Sequence, residues 1–127
     1  MNLIEQIARH LAQCGFGTIA NERHDGNIHW GRMPDQPDDC ICVYSTDTAY
    51  PGSPQGARVQ IMNRASDPRE AYETSAGIAA ALAEWDGFLA GDGAQVSVSI
   101  INSAHGMGPD AKMREIYVSN IRVRYCG

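Results

Sequence analysis

Residues Val59–Trp85 read VQIMNRASDPREAYETSAGIAAALAEW and contain the strongest secondary-structure signals in the chain. The alternation of Val59 and Ile61 with Gln60 and Met62 predicts a β-strand. The residues that follow have helical spacing, which predicts a helix over residues 68–85, about 27 Å long at the standard rise. This β–α unit predicts a scaffold, and it contains no catalytic signature of its own.

The start of the predicted helix has strong local signals. Asp67 is placed to act as the N-cap, and Pro68 occupies a position where a missing N–H costs nothing. Glu70 has the spacing of a capping-box partner. Small and apolar residues then form a stripe rich in alanine, which lets a neighbouring backbone approach closely. The members of this stripe are Ala71, Ser75, Ile78, Ala79 and Leu82, with Tyr72, Ala76 and Ala83 beside them.

The composition of the chain limits the classes of protein to which it can belong. A chain of 127 residues with 43% hydrophobic residues predicts one domain, residues 1–127, with a proper core. No apolar run approaches the roughly 18 residues of a membrane span, so we expect no membrane association. The first fifteen residues are periodic and polar-interrupted, so we expect no signal peptide and synthesis in the cytoplasm. The net charge of −5 argues against a domain that reads nucleic-acid sequence.

The other segments complete an α+β prediction. We expect a single domain with a mostly antiparallel sheet of about five to six strands, two helices packed on it, and the order α-β-β-β-β-α-β-β. Two long segments, Asp47–Ala57 and Ser103–Lys112, are predicted to be exposed loops. The remaining predicted elements are a helix over Asn2–Gln13 ending at Gly15, a hairpin of Thr18–Glu22 and Asn27–Gly31, and strands over Cys40–Thr46, Gln95–Asn102 and Met113–Cys126.

The last predicted strand changes the phase of its alternation. Its apolar residues are first Ile116 and Val118 and then Ile121 and Val123. Because side chains on a strand alternate with a period of two, such a change requires an extra residue. We therefore predict a β-bulge or bend near residues 119–120.

No motif predicts a catalytic residue, a cofactor site or a metal site. The sequence has no nucleophile elbow, P-loop or dinucleotide fingerprint. Its four histidines are scattered, and Cys40 and Cys42 are too close for the usual zinc spacing, so we interpret the cysteines as reduced and mostly buried. We predict no enzymatic activity. A hydrolase or metal enzyme built from His105, Asp110 and a cysteine remains an alternative that stoichiometric bound metal would favour.

Six arginines lie on or near the predicted strands, and two interpretations stay open. They can form the solvated face of a half-exposed sheet. They can also pair with carboxylates of another subunit, because a guanidinium holds a carboxylate with two hydrogen bonds. These arginines are Arg58, Arg64, Arg69, Arg114, Arg122 and Arg124.

Three stretches carry a resemblance to a known family. They are GRMPDQPD at residues 31–38 leading into strand 41–46, VQIMNR at residues 59–64 leading into the helix, and MGPDAKMR at residues 107–114 followed by the strand to Tyr125. Together they resemble the phage minor capsid protein family that includes the tail terminators of long-tailed bacteriophages. Met107 stands where the family pattern has leucine, and Ile121 stands where it has an aromatic residue.

The resemblance implies a structural protein of the virion, located at the head-proximal end of the tail. Tail terminators form a ring, usually a hexamer, on the last ring of the tail tube protein. They stop polymerisation and present their other surface to the head–tail connector or head completion protein, while genomic DNA passes through the lumen without sequence-specific binding. The alternative is a small α+β binding or adaptor module without enzymatic activity, such as another head–tail completion protein.

We predict a subunit or partner interface from the long loops and the arginine-bearing strands. A cyclic ring needs heterologous contacts, in which one patch meets a different patch on the next copy. The predicted interface residues are Tyr50, Pro51, Arg64, Asp110, Arg114, Asn120, Arg122 and Arg124.

Overall fold

The described residues of this computed structural model, 3–19, 26–45, 57–83, 88–89 and 95–126, form two helices and a six-stranded sheet. The strand order is β1-β2-β3-β6-β5-β4, and all pairs are antiparallel except the parallel pair β1–β2. This confirms the predicted α+β class. The elements are α1 (Leu3–Gln13), β1 (Ile28–Trp30), β2 (Cys40–Ser45), β3 (Ala57–Ala65), α2 (Pro68–Ala83), β4 (Phe88–Leu89), β5 (Gln95–Pro109) and β6 (Glu115–Cys126).

Both helices pack on one face of the sheet. Helix α1 lies against β1 and β2, and α2 lies against β3, β5 and β6. Neither helix has the length and hydrophobicity that crossing a bilayer requires. The buried residues of α2 are those of the predicted stripe: Ala71, Ser75, Ile78, Ala79 and Leu82.

Local signals set the ends of the helices as the sequence predicts. The backbone N–H of Arg69 donates to Asp67 Oδ1 at 3.0 Å, which is the expected N-cap bond of α2. Helix α1 ends in a Schellman motif, in which Gly15 has a φ of 94° and the N–H of Phe16 donates to the carbonyl of Leu11 at 3.1 Å. The left-handed φ explains why glycine suits this position.

Strand β6 does not contain the predicted bulge. It pairs with β3 from Glu115 to Val123 without interruption. The apolar pattern changes phase because each half of β6 is buried on a different face. Ile121 and Val123 belong to the core beneath the helices, whereas Val118 is only 3% exposed although it points to the opposite face. When the buried side of a strand changes from one face of the sheet to the other, the apolar pattern changes phase just as it does at an extra residue.

The irregularities lie instead in the neighbouring strand β5, which extends to Pro109. The prediction that Ser103–Lys112 is a loop is therefore wrong for residues 103–109. Three register shifts interrupt the pairing of β5 with β6, between Ile100 and Asn102, between Asn102 and His105, and between Gly106 and Gly108. These shifts remove the period-two alternation, so the sequence of this half of the strand resembles a loop.

Two further predictions concern the connections between elements. Ile19 forms a single bridge with Ile28, and this bridge is parallel, which does not fit the predicted hairpin. Residues 20–25 and 46–56 lie outside the described residues, so most of the predicted Asp47–Ala57 loop does as well. The observed order of described elements is α-β-β-β-α-β-β-β, because β4 precedes β5 and the segment before β1 contributes only this bridge.

Candidate interaction surface

Residues 31–39 form a proline-rich loop that Arg64 holds against the sheet. Arg64 lies on β3 and points away from the helices, and it is only 6% exposed. Its guanidinium donates to the backbone carbonyls of Pro34, Asp35, Pro37 and Asp38 at 2.9, 3.0, 2.7 and 3.0 Å. A planar fork of five N–H donors suits such a set of converging carbonyls. One buried side chain therefore fixes the path of the whole loop, which we call the arginine-held loop.

Arg114 fixes the same loop from the β5–β6 connection. This side chain is 7% exposed and contacts three carboxylates. The distances are 2.8 Å to Asp110 Oδ2, 3.0 Å to Asp35 Oδ1 and 3.2 Å to Asp38 Oδ1. Arg114 also donates to the backbone carbonyl of Asp35, and Lys112 Nζ contacts Asp35 Oδ2. The buried cation is therefore fully neutralised by groups of its own chain.

The connection that carries Arg114 is a tight turn built around Asp110. Asp110 Oδ1 accepts the backbone N–H groups of Lys112 and Arg114, both at 2.9 Å. The N–H of Asp110 donates to the carbonyl of Arg114 at 2.8 Å, and Met113 has a φ of 62°. This is a three-residue hairpin loop whose last residue is left-handed. Met113 therefore adopts a left-handed backbone conformation that is unfavourable for a residue with a side chain. Its side chain is 74% exposed.

The network shifts the pKa values of two of its carboxyl groups and of Arg114. Hydrogen bonds from Lys112 and then Arg114 hold the pKa of Asp35 below its usual value of 3.8. Hydrogen bonds from the backbone of Arg114 do the same for the pKa of Asp110. Burial alone would lower the pKa of Arg114, but its bonds to Asp35 and Asp110 outweigh burial and raise this pKa. All three shifts favour the charged forms that build the network.

These shifts predict acid sensitivity of the folded chain. A carboxyl with a lowered pKa in the folded state adds stability above its unfolded pKa, near 3.8, and that stability is lost as the pH falls through the lowered value. We therefore expect the melting temperature to fall between pH 5 and about pH 2, the window of this linkage. Thermal unfolding across this range should show a smaller fall for Asp35→Asn than for the parent. An equal fall in both proteins would contradict a linkage through Asp35.

The structure brings three predicted interface residues together and directs their side chains inward. Arg64, Asp110 and Arg114 meet at the arginine-held loop and bond within the chain. Sequence reasoning did not find Asp35, Asp38 or Lys112 as partners, although the aspartates of the MPDQPDD segment are a visible signal. Tyr50 and Pro51, the other predicted loop residues, lie outside the described residues.

The remaining predicted interface residues lie on the other half of the same sheet face. Asn120 donates to Asn102 Oδ1 at 2.8 Å and accepts from Gln60 at 3.4 Å, which forms a row of amides across β3, β6 and β5. Beside this row is a depression of about 290 Å³ lined by Arg58, Ile101, Asn102 and Asn120. We call Arg58, Arg122 and Arg124 the arginine face, because strand alternation places all three on this side.

The cysteines that the structure describes show no sign of a reactive site. Cys40 and Cys42 are 2% and 0% exposed, which confirms the prediction of buried thiols for this pair. Burial raises the pKa of Cys42 to about 11, so its thiolate form is scarce at neutral pH. Cys14 is exposed, and its Sγ lies 3.5 Å from His10 Nε2. Among described residues, no group of three or more His, Cys, Asp or Glu side chains is arranged to hold a metal ion.

Comparisons with protein-family models, with curated proteins and with solved structures give no match for this chain.

Proposed function

We propose that this chain is a structural virion protein that caps the head-proximal end of a phage tail tube. In this proposal the chain forms a ring of about six copies on the last ring of the tube protein and stops its polymerisation. The opposite surface of the ring faces the head–tail connector. DNA passes through the ring without sequence-specific binding, and a net charge of −5 is compatible with such a lumen.

One observation carries the proposal. The three stretches that resemble the minor capsid and tail terminator family are far apart in sequence, yet they meet in one network around two buried arginines. Arg64 of the second stretch bonds four carbonyls in residues 34–38 of the first, and Arg114 of the third bonds Asp35 of the same loop. Family-like segments that pack on one another support one common architecture more strongly than separate short motifs do.

One depression on the described surface gives little support to a small-molecule adaptor. This depression of about 290 Å³ has Arg58, Asn102 and Asn120 among its four lining residues. Pockets for small molecules are usually larger and mainly apolar. The adaptor remains the second candidate function, as another head–tail completion protein without enzymatic activity.

The first test is particle mass by light scattering across protein concentration, with negative-stain imaging of the same sample. We expect a ring of about six copies with a central hole, as the family resemblance implies, because heterologous contacts generate a ring when their rotation closes. The decisive test adds the purified protein to growing tail tubes of the same phage. Tubes should stop elongating and carry density at one end. Unchanged tube lengths, compared with an unrelated protein of similar size and charge, would overturn the proposed function.

A further inference from the structure

Large apolar side chains are exposed together at one end of the domain. Tyr72, Met107 and Met113 are each more than half exposed, and among the described residues Ile101 is the only other exposed large apolar residue. The three lie near one another because β3 leads into α2 at the end of the sheet where the β5–β6 connection also lies. Single exposed apolar residues are normal on a protein surface, whereas a contiguous group of them indicates an interaction site.

Tyr117 joins these side chains into one surface. Its ring centre lies 5.9 Å from that of Tyr72 in an edge-to-face arrangement. The same ring covers Gly106, where an added Cβ would lie 3.3 Å from it. Met107 follows Gly106 and lies within a register shift of β5. Met113 precedes Tyr117 by four residues, so at most about 14 Å of chain separates them. We call Tyr72, Met107, Met113 and Tyr117 the apolar end.

Met113 occupies its exposed position at a cost to the folded chain. Its φ of 62° is in the left-handed region, which glycine adopts without strain. The hydrogen bonds between Asp110 and Arg114 fix the turn, so this side chain is held in one place. Neither backbone strain nor solvent exposure favours methionine here. Such a residue is expected where another molecule covers it.

The apolar end is complementary to a second copy of itself. It contains two methionines and two tyrosines, and a thioether packs favourably against an aromatic ring. A twofold axis can place Met113 of each copy on Tyr72 of the other, so that the same contact occurs twice. This chain therefore supplies both members of the favourable pair.

The charges beside the apolar end also match in a twofold pair. Lys112 is exposed in the same turn as the methionine, and its ammonium group, which contacts Asp35, has three N–H donors. The exposed tyrosine of α2 lies among Arg69, Glu70 and Glu73, where two carboxylates and one guanidinium give a net charge of −1. A methionine that packs on this tyrosine brings the neighbouring lysine towards those carboxylates.

We propose that two copies of the chain associate through their apolar ends, with Met113 of each copy packed on Tyr72 and Tyr117 of the other. The contact is isologous, so it differs from the heterologous contacts of a ring, and both kinds combine in assemblies of dihedral symmetry. This inference goes beyond the proposed function, because the pair needs no tail. The smallest particle, whether a single chain or a ring, therefore doubles its mass as the concentration rises.

Sedimentation velocity of the full chain across concentration measures this doubling. The central variant is Met113→Gly, which removes the exposed side chain and suits the left-handed backbone. Its melting temperature should equal or exceed that of the parent. The protein concentration needed for half association should nevertheless rise about tenfold or more. A residue with a role in folding alone would not weaken association while thermal stability is kept.

The matched control is Ile101→Ser. This variant also removes an exposed apolar side chain, but one that lines the depression beside the amide row. It should associate like the parent, because the apolar end remains intact. Weakening of association by both variants to the same extent would indicate a general loss of surface hydrophobicity and would contradict a contact at the apolar end.

Zero-length crosslinking identifies the residues that meet. Lys112 is the only lysine of the chain, so a carbodiimide, which condenses an amine with a carboxylate, has few possible products. Mass spectrometry of the crosslinked dimer should find Lys112 joined to Glu70 or Glu73. Lys112→Arg keeps the charge and should associate like the parent, but it should lose this crosslink.

Three results would overturn the inference. The first is a parent that never doubles its mass up to about 1 mM, because another molecule then covers the apolar end. The second is a Met113→Gly variant that associates like the parent, and the third is a crosslinked dimer in which Lys112 is not joined to α2. The tail-capping assay separates this inference from the proposed function. A protein that caps tubes without doubling would reject only the twofold contact, whereas one that doubles but fails to cap would reject only the tail role.

Discussion

Replacing Arg64 with alanine is expected to detach the arginine-held loop and to destabilise the chain strongly. The substitution removes the guanidinium donors of Arg64 to the carbonyls of Pro34, Asp35, Pro37 and Asp38. Of these four carbonyls, that of Asp35 keeps its bond from Arg114. The substitution also opens a buried site, since Arg64 is 6% exposed. A buried donor set of this kind predicts a loss of about 2–4 kcal/mol in the free energy of unfolding. Urea unfolding followed by circular dichroism measures this change.

The matched control is Arg69→Ala, because Arg69 is an exposed arginine on α2. Its free energy of unfolding should change by less than about 0.5 kcal/mol, as is usual for surface positions. Hydrogen exchange adds a local readout. Amides of residues 31–39 should exchange faster in Arg64→Ala, while amides at the centre of β3 keep most of their protection. Similar stability of both variants would show that the loop does not depend on Arg64.

The sequence predicts those parts of the fold that local chemistry determines. The stripe of α2 follows from helical spacing, and its start follows from Asp67 and Pro68. Gly15 ends α1 because a Schellman motif needs a left-handed residue at that position. Each of these signals involves residues within one or two turns of one another, so no knowledge of the tertiary structure is needed.

The arginine-held loop could not be predicted in the same way. Arg64 and its acceptors are separated by 26 to 30 residues, and Arg114 and Asp35 by 79. The acceptors of Arg64 are backbone carbonyls, which every residue has and which leave no trace in a side-chain pattern. Arginine on a half-exposed strand therefore suggested either solvent or another subunit, and the structure gives Arg64 and Arg114 a third role inside the chain.

The apolar pattern of β6 misled the prediction because its buried residues lie on two different faces of the sheet. Alternation indicates a buried face only when one face is covered along the whole strand. In β6, Val118 is buried on the side of the arginine-held loop and Ile121 is buried beneath the helices. The part of the sheet face opposite the helices that lies away from the arginine-held loop carries Arg58, Arg122 and Arg124 instead. A single sheet face thus combines the network of Arg64 and Arg114 at one end and three further arginines at the other.

The second large effect is expected at Leu82, on the last described turn of α2. Leu82 is fully buried and belongs to the core formed with Ile7, Ile78 and Ile121. Replacing it with alanine removes buried methyl and methylene groups and leaves a cavity, for which we expect a loss of about 3 kcal/mol in the free energy of unfolding. This is a large part of the roughly 5–15 kcal/mol that stabilises a typical domain. Urea unfolding gives the difference from the shift of the midpoint at constant slope.

The conservative variant Leu82→Met separates packing volume from side-chain identity. It should cost less than about 1.5 kcal/mol, because it nearly preserves volume. Equal stability of Leu82→Ala and Leu82→Met would mean that this end of α2 does not pack as described.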